Sequence, residues 1–185
     1  MKCFFHQCVI ALAVAVSLCS IPAHAQFTAP PNDGFVTDAA SALTAEQKLA
    51  LSQTLSEYQK TTSNEIAVLI LSNLSGVAIE DVGVEVGRSW GIGSKQKNNG
   101  ILIIVALEER LTRMEVGYGL EGAVPDIVAK GIIEEEMAPA FRQGDYFGGL
   151  TDAIASLQKH IGGEYTADRY TEGEFSDVGG FFFFL

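Results

Sequence analysis

The segment Ile66–Leu71, with the sequence IAVLIL, gives the clearest indication of the fold of this chain. It is apolar throughout and partly β-branched, so a strand formed by it must be covered on both faces. The segment Ile101–Leu107, ILIIVAL, has the same character. Between the two segments, apolar residues recur with the period of an amphipathic helix, namely Ile79, Val82, Val86 and Trp90. A strand, a helix and a second strand, joined by a right-handed crossover, predict two parallel strands at the centre of a sheet.

The flanking sequence predicts further helices and a hairpin. Thr44–Gln47 has the spacing of a capping box and begins a helix that extends to about Lys60. The segment Leu111–Val116 alternates between polar and apolar residues, which indicates a hairpin with a third strand nearer an edge. A helix is predicted to begin at Pro125–Asp126, where a proline and a carboxylate suit the first turn, and Pro139 ends or kinks it. The stripe Leu150–Ile161 predicts a last helix. The sequence therefore favours an α/β domain with a mixed sheet.

The first 25 residues have the features of a secretory signal peptide. Lys2 is followed by the apolar run Val9–Leu18 and by small residues that flank a cleavage point after Ala25. The run is shorter than the roughly 20 residues that a membrane span requires, and Cys19 lacks the small residue that precedes a lipidated cysteine. We therefore expect an exported protein, periplasmic or secreted, of about 160 residues in one domain.

Maturation changes the chemistry that the chain can perform. All three cysteines lie in the signal, as do two of the three histidines, which leaves His160 alone. A cysteine nucleophile is thereby excluded from the mature chain, a Ser/His/Asp triad is disfavoured, and a zinc site becomes improbable because zinc prefers Cys and His ligands. Oxygen ligands from Asp, Glu, Asn and the backbone are left, and they suit Ca²⁺, Mg²⁺ or Mn²⁺.

The charge of the chain argues against nucleic acid as a partner. The formal net charge is −11, and it becomes more negative once Lys2 leaves with the signal. Phosphate backbones require clustered Lys and Arg, which this composition does not favour. An acidic surface attracts cations or basic partners, although it also serves solubility alone.

The segment Gly117–Gly122 matches the glycine pattern of dinucleotide-binding loops. Such a loop requires a strand, a helix and a second strand, with an acidic residue about 20 positions on. Here the predicted helix is followed by another helix, so we expect no nucleotide cofactor. The glycines instead deliver Glu121 and Asp126 on a flexible backbone, which favours a loop that supplies oxygen ligands.

Three loops are predicted to meet at one end of the sheet, where ligands of open α/β sheets bind. They are residues 34–38, 90–100 and 115–126. From them we select four candidate metal ligands: Asp38, Asn99, Glu121 and Asp126. Each has a simpler explanation as a turn residue, a helix-dipole partner or a solvated side chain. No catalytic residue is predicted.

Several motifs in a fixed order resemble those of the TPM domain family. They extend from about Gly34 to Ile161 and comprise Gly34–Asp38, Glu65–Val68, Trp90–Gly93, Asn99–Leu102, Glu115–Gly122, Pro125–Asp126 and Gly144–Gly149. The resemblance implies a three-layer α/β/α sandwich in an exported protein that binds divalent cations, often tethered by a C-terminal membrane helix. This chain has Asn98 where relatives often have an acidic residue, which weakens the implied cation site.

The sequence and the resemblance together predict the division of the chain into segments and two alternative functions. Composition predicts a signal peptide over residues 1–25, an extended lead-in over 26–33 and a flexible acidic, glycine-containing tail with a hydrophobic end over 164–185, and the resemblance predicts a TPM domain over 34–163. One hypothesis is a cation-binding module that maintains the envelope or its membrane proteins. The alternative is a metal-assisted acid phosphatase, since a plant thylakoid relative is linked to that activity and to photosystem II repair. Arg88, Lys95 and Lys97 are then candidates to hold phosphate.

Overall fold

The computed structural model describes residues 27–164, Tyr170 and the pair Phe182–Phe183. The predicted signal peptide and most of the predicted tail lie outside the described residues. The strands are β1 (Val36–Asp38), β2 (Glu65–Leu71), β3 (Gly100–Ala106), β4 (Leu111–Val116) and β5 (Phe182–Phe183). The α-helices are α1 (Ala45–Thr62), α2 (Ile79–Trp90), α3 (Asp126–Gly131), α4 (Ala138–Arg142) and α5 (Tyr146–Ile161), with a 3₁₀ turn at Tyr118–Leu120 and a π-helical segment at Ile132–Met137.

The sheet is mixed, and its strands follow one another in chain order. β1, β2 and β3 are parallel, with Asp38 opposite Ile70 and Glu65 opposite Gly100. β4 returns antiparallel to β3, and β5 pairs antiparallel with the first two residues of β4. The predicted parallel centre and hairpin are thereby confirmed, and β4 lies toward one edge as expected.

Both faces of the sheet are covered, which makes three layers. Ile66, Val68 and Ile70 point into a core formed with α1, α5 and the helices after β4. Ala67, Leu69 and Leu71 point to the other face, into a core formed with α2. Alternate residues of one strand face opposite sides, so an unbroken apolar strand requires cover on both faces of the sheet. The predicted α/β sandwich is confirmed.

The predicted lead-in packs against the α2 face of the sheet. Phe27 contacts that core, and the indole Nε1 of Trp90 donates a hydrogen bond to the carbonyl oxygen of Pro30 at 2.9 Å. The half-buried indole donor is thereby satisfied by the backbone that precedes β1. The domain therefore begins to make contacts several residues before β1.

The structure differs from the sequence-based expectation at β1 and at Pro139. β1 has only three residues, which is too short for a periodic signal, and the sequence predicted a loop there. The sequence predicts that Pro139 ends or kinks the helix that begins at Asp126, and the structure has a π-helical segment, Ile132–Met137, in place of a simple end or kink. Pro139 lies in the first turn of α4, directly after the π-helical segment. Proline lacks the N–H that would bond to the carbonyl four residues earlier and its ring clashes with that carbonyl, so the preceding turn widens.

Helix ends agree with the capping signals in the sequence. Thr44 caps α1, and both hydrogen bonds of the capping box with Gln47 are formed. Gly91, with φ 63°, ends α2 in the left-handed region that favours glycine. Within the described residues, the helices all fall short of the length and apolar character that a membrane crossing demands.

Candidate functional site

The loop that follows β4 is held against the loop that precedes β3. The amide of Gly117 donates to the carbonyl of Gly100 at 2.8 Å, and the amide of Gly119 donates to the carbonyl of Asn98 at 3.0 Å. A Cβ atom on either glycine would overlap a backbone carbonyl of the facing loop, that of Asn98 or that of Lys97. The glycines of the dinucleotide-like pattern therefore permit the close approach of two backbone segments.

The same loop presents two carboxylates on a fixed backbone. Leu120 and Val124 are buried and anchor the loop in the core, while Glu121 between them is exposed. Asp126, also exposed, begins α3 directly after the capping residue Pro125. Neither carboxylate forms an ion pair with another residue in the described ranges. Both groups are thus available to a ligand from solvent.

Asn99 lies at the same end of the sheet, but it has a structural role. Its side chain is buried; its Oδ1 accepts from the amide of Ser94 at 3.0 Å. Its Nδ2 donates to the carbonyl of Ser63 at 2.6 Å and to the Oδ1 of Asn64 at 3.1 Å. These bonds join the loop after α1 to the loop before β3. They engage both the Oδ1 and the Nδ2 of the side chain, so the structure gives Asn99 a role in joining the two loops.

Asp38 lies at the opposite end of the sheet, so the three loops do not converge as predicted. It ends β1 opposite Ile70, whereas Asn99 precedes the first residue of β3. Six strand positions separate the two levels, which corresponds to about 20 Å along the strands. Its carboxylate accepts from the amides of Ala40 at 3.1 Å and Leu43 at 2.8 Å and so shapes the turn into α1. The sequence missed this because β1 was not expected as a parallel strand.

The four predicted ligands therefore do not form one cluster. Glu121, Asp126 and Asn99 lie on loops at one end, and Asp38 lies at the other. Throughout the part of the chain that the structure describes, no group of three or more His, Cys, Asp or Glu side chains could hold a metal ion. The donor set chosen from the sequence does not fit a single cation, and only the two loop carboxylates are left as candidates.

A groove opens beside these loops on the α2 face of the sheet. Its volume is about 360 Å³, and Gly83 and Gly87 line it from α2, with Glu115 and Gly117 opposite. Arg88 also lines the groove and is exposed. Glu115 accepts from the Nε of Arg113 at 2.5 Å, and Arg113 also reaches Glu80 at 3.5 Å. This groove is not among the sites predicted from the sequence, where Gly83 and Gly87, one helical turn apart beside Arg88, are the signal that indicates it.

The architecture is that of a three-layer α/β domain whose glycine-bearing loop after β4 carries two exposed carboxylates. The TPM domain family model matches residues 36–160, so the chain belongs to the TPM domain family and the resemblance seen in the sequence is confirmed. A comparison with curated proteins found no significant match.

Solved structures share this fold. The N-terminal domain of a protein from P. gingivalis is 35% identical, with 70% of this chain and 83% of that chain covered and a TM-score of 0.65. The BA42 protein from the psychrophilic bacterium Bizionia argentinensis is 22% identical, with 76% and 94% covered and a TM-score of 0.60. The N-terminal domain of the cg2496 protein from Corynebacterium glutamicum is 18% identical, with 82% and 92% covered and a TM-score of 0.53. The last two are similar in fold alone.

Proposed function

We propose that this chain is an exported TPM-domain protein that binds a divalent cation, Ca²⁺ or a related ion such as Mg²⁺ or Mn²⁺, through the loop Gly117–Asp126. We propose further that it acts in the maintenance of the envelope or of its membrane proteins. Family membership and the predicted signal peptide support the proposed export and the proposed role in the envelope. The single observation that carries the cation proposal is a loop with a fixed backbone that presents Glu121 and Asp126 to solvent.

The fixed backbone matters because it lowers the cost of ordering the ligands when a cation binds. Gly117 and Gly119 pack on the facing loop, and Leu120 and Val124 are buried on either side of Glu121. Two carboxylates supply only part of the six to eight oxygens that Ca²⁺ takes, so water and backbone carbonyls complete the set. We therefore expect weak binding, with a Kd on the order of 0.1–1 mM.

Titration of the mature chain with Ca²⁺ and with Mg²⁺, followed by calorimetry and by backbone amide NMR shifts, tests the proposal. Binding should shift amides between Gly117 and Asp126, and Glu121→Ala or Asp126→Ala should weaken it at least about tenfold. Asp152→Ala is the matched control, because it removes the same charge from an exposed position on α5. A wild-type chain that gives neither heat nor shifts refutes cation binding, and family membership stands regardless.

The second candidate function is a metal-assisted phosphatase that hydrolyses phosphomonoesters. The position of Arg88 favours it, because Arg88 lines the same groove as Gly117, beside the loop that carries Glu121. Arginine is suited to bidentate recognition of phosphate. The exposed Lys95 and Lys97 lie on the facing loop, although Lys97 also donates to the Oγ of Ser63 at 3.1 Å.

Hydrolysis of p-nitrophenyl phosphate, with Ca²⁺ or Mg²⁺ added and then removed by a chelator, tests this second function. Arg88→Ala should reduce kcat/KM at least about tenfold through the loss of a charge-assisted contact to phosphate. Arg142→Ala, at an exposed position on α4, is the matched control. Equal turnover by wild type, Arg88→Ala and Arg142→Ala, or turnover that the chelator does not reduce, indicates a contaminant and argues against phosphatase activity in this chain.

A further inference from the structure

Tyr170 lies beyond the last helix, yet its side chain is completely buried. It belongs to the core formed on the α1 and α5 face of the sheet. The sequence predicts a flexible tail at this position. A buried tyrosine removes a large ring from water, and its hydroxyl group usually forms a hydrogen bond that fixes the orientation of the ring. Its position therefore indicates a specific contact between the domain and the segment that follows it.

The slot that encloses Tyr170 is built around a glycine. A Cβ atom on Gly131, the last residue of α3, would overlap the Cβ and ring atoms of Tyr170. On another side, the rings of His160 and Tyr170 have centroids 5.6 Å apart. The hydroxyl of Tyr170 donates to Oε1 of Glu136 at 3.4 Å, and the same oxygen accepts from the Oγ of Ser156 at 3.1 Å.

The π-helical segment explains why Gly131 and Glu136 line the same slot. The two residues are five positions apart, and five positions in an α-helix place side chains on different faces. A π-helical turn pairs residues five apart, so it brings Glu136 toward the face of Gly131. That turn occurs directly before Pro139, which disfavours the regular α-helical bond to Glu135. The slot thus depends on a local departure from the α-helix.

We propose that the slot formed by Gly131, Glu136, Ser156 and His160 is a docking site for a tyrosine, and that its occupant is the chain's own Tyr170. The docked ring acts as a latch that fixes where the segment after the domain leaves it. Gly131 has no side chain and so leaves room for a flat ring, and the carboxylate of Glu136 favours a ring that carries a hydroxyl donor. Further along the chain, Phe182 and Phe183 form β5, which pairs with β4 at the edge of the sheet.

The sequence offers a direct reporter of this latch. Arg169 precedes Tyr170, so trypsin can cut the bond between them only when Tyr170 leaves the slot. Proteolysis of such a bond follows the population of the locally opened state. The experiment measures the rate of cleavage at Arg169 in the mature chain, by mass spectrometry, together with the fluorescence of Trp90 as a check that the domain is folded.

Wild type should be cleaved slowly at Arg169. Tyr170→Ala should be cleaved at least about tenfold faster because the buried ring is lost. Tyr170→Phe should fall between the two, within about tenfold of wild type, because it loses one hydrogen bond and keeps the ring. Tyr118→Ala is the matched control, since Tyr118 is 79% exposed, and it should behave as wild type.

Gly131→Ala provides a test that leaves the tail unchanged. The added Cβ has no room beside the ring, so cleavage at Arg169 should accelerate while the fluorescence of Trp90, which lies on the opposite face of the sheet, stays native. The latch is refuted if wild type is cut as fast as Tyr170→Ala, or if Gly131→Ala leaves the rate unchanged. Equal acceleration by Tyr118→Ala would also refute it.

Discussion

Gly119 lies so close to the carbonyl oxygen of Lys97 that no Cβ atom fits between them. The contact joins the loop after β4 to the loop before β3, and the hydrogen bond from Gly119 to the carbonyl of Asn98 lies next to it. Because these loops come from neighbouring strands, their packing fixes the position of Glu121. The proposed cation loop therefore depends on a glycine that has no ligand role.

From this contact we predict that Gly119→Ala separates the two loops. The displaced backbone atoms cannot relax as a flexible side chain would, so we expect a loss of about 1–3 kcal/mol in the free energy of unfolding, comparable to overpacking a core. Urea denaturation measures it, and Ca²⁺ titration should show weaker binding. Gly122→Ala is the control, because nothing lies near its added Cβ. Equal effects of the two substitutions would contradict the prediction.

A second prediction concerns Asn99. Replacement by alanine removes three hydrogen bonds from a buried position, and each contributes about 0.5–1.5 kcal/mol. We expect Asn99→Ala to lower the free energy of unfolding by about 2–4 kcal/mol in thermal or urea unfolding. Asn32→Ala, at an exposed turn, should cost little. If Asn99→Ala instead left stability intact and abolished cation binding, a ligand role would replace the structural one.

A third prediction concerns Pro139 and the π-helical segment. Pro139→Ala restores the missing backbone donor, so the helix can adopt a regular α-helical register in which Glu136 turns away from Gly131. We expect faster trypsin cleavage at Arg169 without loss of the overall fold. Amide hydrogen exchange over Ile132–Met137 should change at the same time. Unchanged exchange in this segment would show that residues other than Pro139 hold the π-helical turn.

A fourth prediction concerns pH. Burial raises the pKa of Glu134 from its ordinary value of 4.5; Lys130 opposes this and Glu135 adds to it. Because the pKa of this carboxyl group is higher in the folded chain than in the unfolded chain, the folded chain binds the proton more tightly. The free energy of unfolding therefore falls as the pH rises above 4.5 and the group loses its proton. We expect Glu134→Gln to gain stability relative to wild type between pH 4 and pH 7.

Urea unfolding of Glu134→Gln and of wild type across this pH range measures the difference. Glu135→Gln removes the same charge at an exposed neighbouring position and is the control. The difference between Glu134→Gln and wild type should be smallest at pH 4 and largest at pH 7. A difference that shrinks with rising pH would have the wrong sign and would contradict the role of burial.

Much of the fold follows from local sequence patterns. The unbroken apolar segments at Ile66–Leu71 and Ile101–Leu107 predicted the buried parallel strands, and the capping box at Thr44 predicted the start of α1. These features are set by residues close together in the chain. The order of motifs also predicted the family, which the match over residues 36–160 confirms.

The candidate site could be predicted only in part. The sequence predicts that Glu121 and Asp126 share one loop, because a glycine-rich turn before a helix is visible in it, and the structure has both carboxylates exposed on that loop. Asp38 was grouped with them, although it lies at the other end of the sheet. The error arose because the position of a carboxylate along a sheet depends on strand direction and register, and the three-residue β1 carries no pattern that reveals either.

The class of the fold and the acidity of the chain follow from the sequence alone; the sequence also predicts a signal peptide whose removal takes all three cysteines and leaves oxygen ligands for a metal site. Composition and periodicity are properties of the chain before it folds. Only the tertiary structure decided that Asn99 joins two loops, that Asp38 is remote from Glu121, and that Tyr170 fills a slot above Gly131. Those relationships join residues distant in sequence, and packing alone brings them together.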